Sequence, residues 1–184
     1  MLKTIFLTVF FATVVVLTAT YIYLGGYKEP EFFVDSSPTM YLAYKNILGN
    51  YSQTSFIINE VEKELAAQNI ECTQSFGLFY DDPNKTVESD LRSKAGCLFL
   101  KKPAIEESSK LHLLKIPAYP KIVQASFKGS PALGPIKVYE QVKNWLQKDN
   151  AFPSLEVYSF KQNENIVTTY YFSLPERDLH DEDE

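Results

Sequence analysis

Glu156 is a carboxylate set among aromatic residues. It lies in the run SLEVYSF, residues 154–160, which alternates as a strand does. Alternate residues of a strand share a face, so Leu155, Val157 and Ser159 fall on one side and Glu156, Tyr158 and Phe160 on the other. On an edge strand the second face is simply solvated. In a pocket wall the same face offers one anion among aromatic rings, which can hold a cation or serve as a base. Both readings stand on the residues alone.

Other candidates for chemistry are weaker. GSPALGPI, residues 129–136, has the glycine spacing of a phosphate loop, but Pro135 and Ile136 occupy the positions that need Lys and Ser or Thr; it reads as a turn. His112 sits in the apolar stretch KLHLLKI and His180 in an acidic tail, so no histidine pair offers metal-ligand spacing and no metal site is expected. YDDPNK, residues 80–85, follows a strand and is first of all turn chemistry. Neither a G-x-S-x-G elbow nor a Cys-His signature is present, and no cofactor is implied. Cys72 and Cys97 form no C-x-x-C pair; two buried thiols and one disulfide both remain open.

The elements that would position Glu156 come in two similar sets. The first is a strand MYLAYK (40–45), a helix over 53–68, a strand FGLFY (76–80), a turn VESDLRSKAG and a strand CLFL (97–100). The second is a strand KIVQASF (121–127), a helix from Pro135 to about Lys148, the Glu156 strand and a closing strand IVTTYYFSL (166–174). Ile57, Ile58, Val61 and Leu65 in one helix, and Ile136, Tyr139, Val142, Trp145 and Leu146 in the other, recur at helical spacing. The expected fold is α+β: duplicated strand-helix-strand-strand repeats forming one antiparallel sheet with two helices. The repeats span about 31–100 and 111–175, joined near KKPAIEESSK.

Ahead of them, TIFLTVFFATVVVLTATYIYL, residues 4–24, runs without a charge and is long enough as a helix to cross a bilayer. Its length exceeds the apolar region of a cleaved signal peptide, and Tyr21 and Tyr23 sit where interfacial aromatics belong. Residues 1–26 are therefore expected to be a transmembrane anchor in a single-pass protein, 27–175 the folded body and 176–184 an acidic tail. The positive-inside bias slightly favours an inside amino terminus, but the side of the body stays open. Asn50-Tyr-Ser and Asn84-Lys-Thr are glycosylation acceptor patterns that matter only outside the cytosol. The net charge of −5 resides in the final nine residues, leaving a neutral body without the basic stripe that nucleic acid requires.

GLFYDDP followed closely by LRSKAGC resembles the signature of the GyrI-like family, which includes gyrase-inhibitory proteins and the effector-binding domains of multidrug-responsive activators. LEVYSF is similar to that family's Glu-x-Tyr strand and TTYYFSLP to its closing strand, over about Val34 to Pro175. The anchor resembles a membrane-bound branch containing a testis-expressed autophagy receptor of the endoplasmic reticulum and its bacterial look-alikes. The endoplasmic reticulum or a bacterial inner membrane is thus implied.

The resemblance implies a cleft between the two halves that binds apolar, often cationic, aromatic compounds. Glu156 would be its anionic end, walled by Tyr158, Phe160, Tyr41, Phe79 and Trp145. A second acid that many members carry on the closing strand is replaced here, on this reading, by Thr169, which weakens both strong cation binding and hydrolysis of strained small molecules by Glu156. A small-molecule binding module is the preferred expectation, ahead of an enzyme. A protein-interaction adaptor at a membrane is the other alternative. The aromatic-x-x-aliphatic run an autophagy receptor would display, Tyr171 to Leu174, falls inside the closing strand, and the acidic tail reads as a solubilising end.

Overall fold

Alternating apolar residues build eight strands, and two half-buried helices cover one face of the resulting sheet. The structure, a computed structural model, describes residues 2–106, 110–146, 151–159 and 166–179. The elements in chain order are α1 (Leu2–Tyr23), β1 (Glu31–Ser37), β2 (Met40–Leu48), α2 (Thr54–Ala67), β3 (Gln74–Phe79), β4 (Arg92–Phe99), β5 (His112–Ile116), β6 (Tyr119–Lys128), α3 (Gly134–Leu146), β7 (Ser154–Ser159) and β8 (Val167–Phe172). The strands form one antiparallel, curled sheet in the order β1-β6-β8-β7-β3-β4-β2-β5. Exchanging β1 with β5, β2 with β6, β3 with β7 and β4 with β8 reverses that order, so the β3–β7 pair is the seam between two equivalent halves.

One face of the sheet buries Leu42, Tyr44, Phe76, Leu78, Leu155 and Val157, closed over by Leu174 and Leu179 of the final described segment. The other face carries the helices. α2 packs Val61 and Leu65 on Ala43 and Cys97, and α3 packs Val138 and Val142 on Phe127, Tyr170 and Phe172. In α3 the buried stripe differs from the expected one: Ile136 is 68% and Trp145 51% exposed, while Val138 lies inward. Trp145 instead stacks on Phe32 of β1, ring centres 5.7 Å apart.

Three features depart from the sequence expectation. Residues 92–96, expected in a turn, are the first half of β4, paired with both β2 and β3. β1 and β5 are additional edge strands, and each is bound to the opposite half: Phe32 faces Ala125, and Leu114 faces Leu42. GGYKEPE, expected to be a plain link, is a structured joint. Gly25 (φ 76) ends α1 in a Schellman turn, with Gly26 N–H donating to the Tyr21 carbonyl at 2.8 Å and Gly25 N–H to that of Ile22 at 3.0 Å. Only a residue without Cβ adopts that φ at no cost. The 129–136 run forms no phosphate loop, as its proline and isoleucine indicated: residues 131–133 are a turn, and Gly134, Pro135 and Ile136 are already in α3. His112 lies in β5 with its ring 5.4 Å from that of Tyr44.

Candidate functional site

Each helix covers its own half of the sheet, which leaves the seam open between them. The face of the seam toward the helices carries Ser75, Gly77 and Phe79 from β3, directly opposite Tyr158, Glu156 and Ser154 of β7. Opposite residues in an antiparallel pair share a face, so Glu156 is paired with a glycine, and the Phe79 ring lies where a side chain on Gly77 would otherwise stand. Above the seam lies a cavity of about 1310 Å³, bounded by α2 through Ile58 and Glu62 and by α3 through Ile136 and Tyr139.

Glu156 is 2% exposed. The Tyr139 hydroxyl donates to its Oε1 at 2.8 Å and the Tyr158 hydroxyl to its Oε2 at 3.0 Å. Tyr139 also shares a hydrogen bond of 2.5 Å with Ser154 Oγ, and its ring stacks on Phe152 with centres 5.0 Å apart. Burial disfavours the charged form and raises the Glu156 carboxyl to about 7, although the two tyrosine hydroxyls act in the opposite direction. Burial, together with the neighbouring carboxylate, pushes Tyr139 and Tyr158 well above the ordinary phenol range. They therefore remain donors throughout the neutral range. The result is an acid that gains or loses its proton near neutrality, held between two fixed donors.

The rest of the cavity wall is mostly aliphatic and neutral polar, and its charged groups are mainly acids. Glu62, Glu71, Asp82 and Glu140 join Glu156 there, against the ammonium of Lys143. A ring face attracts a cation by about 0.5 to 2 kcal/mol, and a neighbouring carboxylate adds to that.

Of the residues singled out from sequence, Glu156, Tyr158 and Phe79 line this cavity. Tyr41 lies in β2, two strands from β3 and paired with Phe99 and Lys115, and does not line it. Trp145 lies on α3 against Phe32 and does not line it either. Phe160, like His180, falls outside the described residues. Thr169, assigned from sequence to the position of a second acid, faces away from the cavity: it is opposite Val157, whereas Tyr170 is opposite Glu156 and Thr168 opposite Tyr158. The shift is one residue, and in a strand that changes the face. Tyr139, which donates to Glu156, and Ser154, which bonds the Tyr139 hydroxyl, carry no site signal in the sequence, because Tyr139 reads as one more member of an apolar helical stripe.

Cys72 and Cys97 are joined as a disulfide, their Cα atoms 5.6 Å apart, and Cys72 lines the cavity. Glu62 approaches the two sulfurs, but sulfurs committed to each other offer no thiolate to a metal. The YDDPNK and LRSKAGC motifs prove to be one unit. Arg92 grips Asp81 with Nε to Oδ2 at 3.0 Å and a terminal nitrogen to Oδ1 at 2.7 Å, while Asp82 caps the turn by accepting from Asn84 N–H at 3.0 Å.

A family model described as the GyrI-like small molecule binding domain matches residues 32–175. No curated protein matches the chain. Among solved structures, the chain is similar to one described as the EcmrR C-terminal domain, with 16% identity and a TM-score of 0.59, covering 79% of this chain and 98% of that one. It is also similar to EcmrR in a complex with DNA, with 15% identity and a TM-score of 0.57, covering 92% of this chain and 68% of that one. At these identities the likeness is one of fold. Since the family model spans most of the sequence, the chain belongs to the GyrI-like small molecule binding domain family.

Proposed function

We propose that this protein is a membrane-anchored binding module that takes an amphipathic aromatic cation into the cleft over the β3–β7 seam. The observation that carries the reading is Glu156, buried at the floor of a cavity whose charged groups are mainly acids, and oriented by two tyrosine hydroxyls. An unpaired buried carboxylate is costly, and a cationic guest supplies the missing charge. Tyr158, Phe79 and Tyr139 are the aromatic surfaces within reach of that guest.

Anchoring is supported by α1, whose segment Lys3–Tyr23 is apolar on every side and 0% buried, so its surface needs a cover that is itself apolar all round. A bilayer of about 30 Å fits such a helix. A disulfide persists in oxidising compartments, and an inside amino terminus would put the body on the outer or lumenal side. A neutral body gives no support to nucleic acid as a partner.

The test is thermal unfolding of the full chain in detergent with N-methylquinolinium and with neutral quinoline, beside Glu156→Gln. At 100 times its dissociation constant a ligand stabilises by about 2.7 kcal/mol, a shift of several degrees. A shift by the cation alone, lost in Glu156→Gln, supports the reading. Equal responses of the two proteins overturn it, and slow consumption of a strained cyclic substrate dependent on Glu156 would replace it with a hydrolase.

A further inference from the structure

Resting on the binding reading above, we infer that the cleft opens at the bilayer surface and receives its aromatic cation from the membrane interface. The joint between α1 and the body carries this inference. The Schellman turn that ends α1 leaves the Leu24 carbonyl without a helical partner, and Ser130 N–H donates to it at 2.9 Å. Lys137 on α3 donates to the Lys28 carbonyl at 2.7 Å and to Glu29 at 2.9 Å, and Gln141 donates to Glu29 at 3.1 Å. A cavity wall is thus clamped to the end of the apolar helix rather than tethered to it.

Strand register fixes which end of the cleft this is. Lys128 is opposite Val167, Val167 opposite Ser159 and Ser159 opposite Gln74, so the Ser130 loop leaves the sheet at the Gln74 end of the seam. Phe79 and Ser154 mark the other end, where Tyr51 and Asp82 form the rim. At the anchor end the rim has two sides: Pro131, Ala132, Pro135 and Ile136, which follow the residue bonded to Leu24 and lead into α3, and Ile70, Glu71 and Cys72 at the exit of α2. None of the four on the α3 side carries a charge, and Glu71 opposite them is an exposed acid. Adjacent Cα atoms are about 3.8 Å apart, so Pro131 and Ala132 lie within a few ångströms of the level at which α1 leaves the hydrocarbon. An uncharged α3 side of the rim facing lipid, with acids opposite it and further in, matches a cationic guest that lies in the interface with its ring toward the acyl chains. A wholly water-soluble guest gains nothing from this arrangement.

The full chain in phosphatidylcholine vesicles tests the inference, with rhodamine 6G as the bilayer-partitioning cation and N-methylquinolinium as the water-soluble one. A photoreactive benzoylphenylalanine in place of Ile136 is expected to crosslink to lipid, and the same group in place of Asn84, at the opposite rim, is not. A long Gly-Ser insertion between Leu24 and Gly25, which separates the helix end from Ser130, is expected to abolish the faster capture of rhodamine 6G from vesicles while leaving N-methylquinolinium binding unchanged. If both cations bind but Ile136 does not reach lipid, or the insertion leaves the capture rate intact, this inference is overturned and the binding reading survives. If neither cation binds, both fall.

Discussion

Tyr139 of α3 donates to Glu156 of β7 at 2.8 Å, so the helix is hydrogen-bonded to the sheet through a buried carboxylate. The same hydroxyl meets Ser154, two residues earlier on the same strand face. Replacing it removes a donor that favours the charged acid but keeps the ring that stacks on Phe152. Tyr139→Phe is expected to cost about 1 kcal/mol of stability and to raise the Glu156 carboxyl further above neutrality. Cation binding measured against pH should then set in at higher pH than in the wild type; an unchanged midpoint would show that the hydroxyl does not tune the acid.

The raised carboxyl makes stability depend on pH in a defined direction. Glu156 titrates near 7 when folded, against an ordinary value of 4.5, so between those values the folded protein holds a proton that the unfolded chain has released. Its contribution is complete below the unfolded value and is lost as pH rises through 7, in total about 3 kcal/mol. Glu156→Gln keeps the neutral shape, so it should unfold at a higher temperature than wild type at about pH 8 and lose that advantage near pH 4. Equal unfolding temperatures at both pH values would mean the carboxyl is not buried in solution.

For a cationic guest the same titration has the opposite sense. The guest prefers the carboxylate, so affinity should climb as pH rises through about 7 and level off above it. Binding should release protons below that point. Isothermal titration in two buffers of different ionisation enthalpy measures the release directly, and its absence at about pH 6 would separate the guest from Glu156.

The disulfide closes a loop over the exit of α2 and the strand beneath it. Cys72 and Cys97 are 25 residues apart, and loop-closure entropy puts the expected loss on reduction at about 3 kcal/mol. Cys97→Ser should lower the urea midpoint and loosen the Ile70–Cys72 side of the cleft, visible as faster amide exchange there. Exposed Asn84 should also accept a glycan in microsomes if the body faces the lumen, because it lies in a turn outside the sheet.

Arg92 and Asp81 hold the 80–92 turn in its shape from the surface. Arg92 is 65% exposed on its side chain, so Arg92→Ala should cost no more than about 1 kcal/mol despite two-pronged geometry. The Arg92 guanidinium keeps the Asp81 carboxyl below its ordinary 3.8; the stability this gives is present above that value and fades as the solution is acidified through the lowered one. The effect expected of Arg92→Ala is therefore smaller in acid, read from chemical denaturation at two pH values.

Periodicity made the helices, the six main strands and the face of Glu156 legible, because each is a local property of the chain. Strand order is not local. Tyr41 and Trp145 have the right residue types for a binding wall, yet one sits two strands away and the other beneath β1. EFFVDSS, the sequence of β1, has an exposed, partly polar pattern that is strand-like only beside β6. Thr169 shows how little error is tolerated, since counting one residue off along β8 exchanges the cleft for the opposite face. Tyr139 was hidden differently: a hydrophobicity pattern registers its ring and ignores the hydroxyl, which is the part that meets Glu156.

The exchange of edge strands has a consequence for biogenesis. β1 emerges from the ribosome directly behind α1, but its partner β6 is made only after the whole first half, and β8, which flanks β6 on its other side, is the last strand to appear. The chain must therefore keep FFV of β1 unpaired while most of the body is synthesised, and such long-range pairing is intrinsically slow. During that interval the apolar edge is open to the wrong strand, including one from a neighbouring nascent copy.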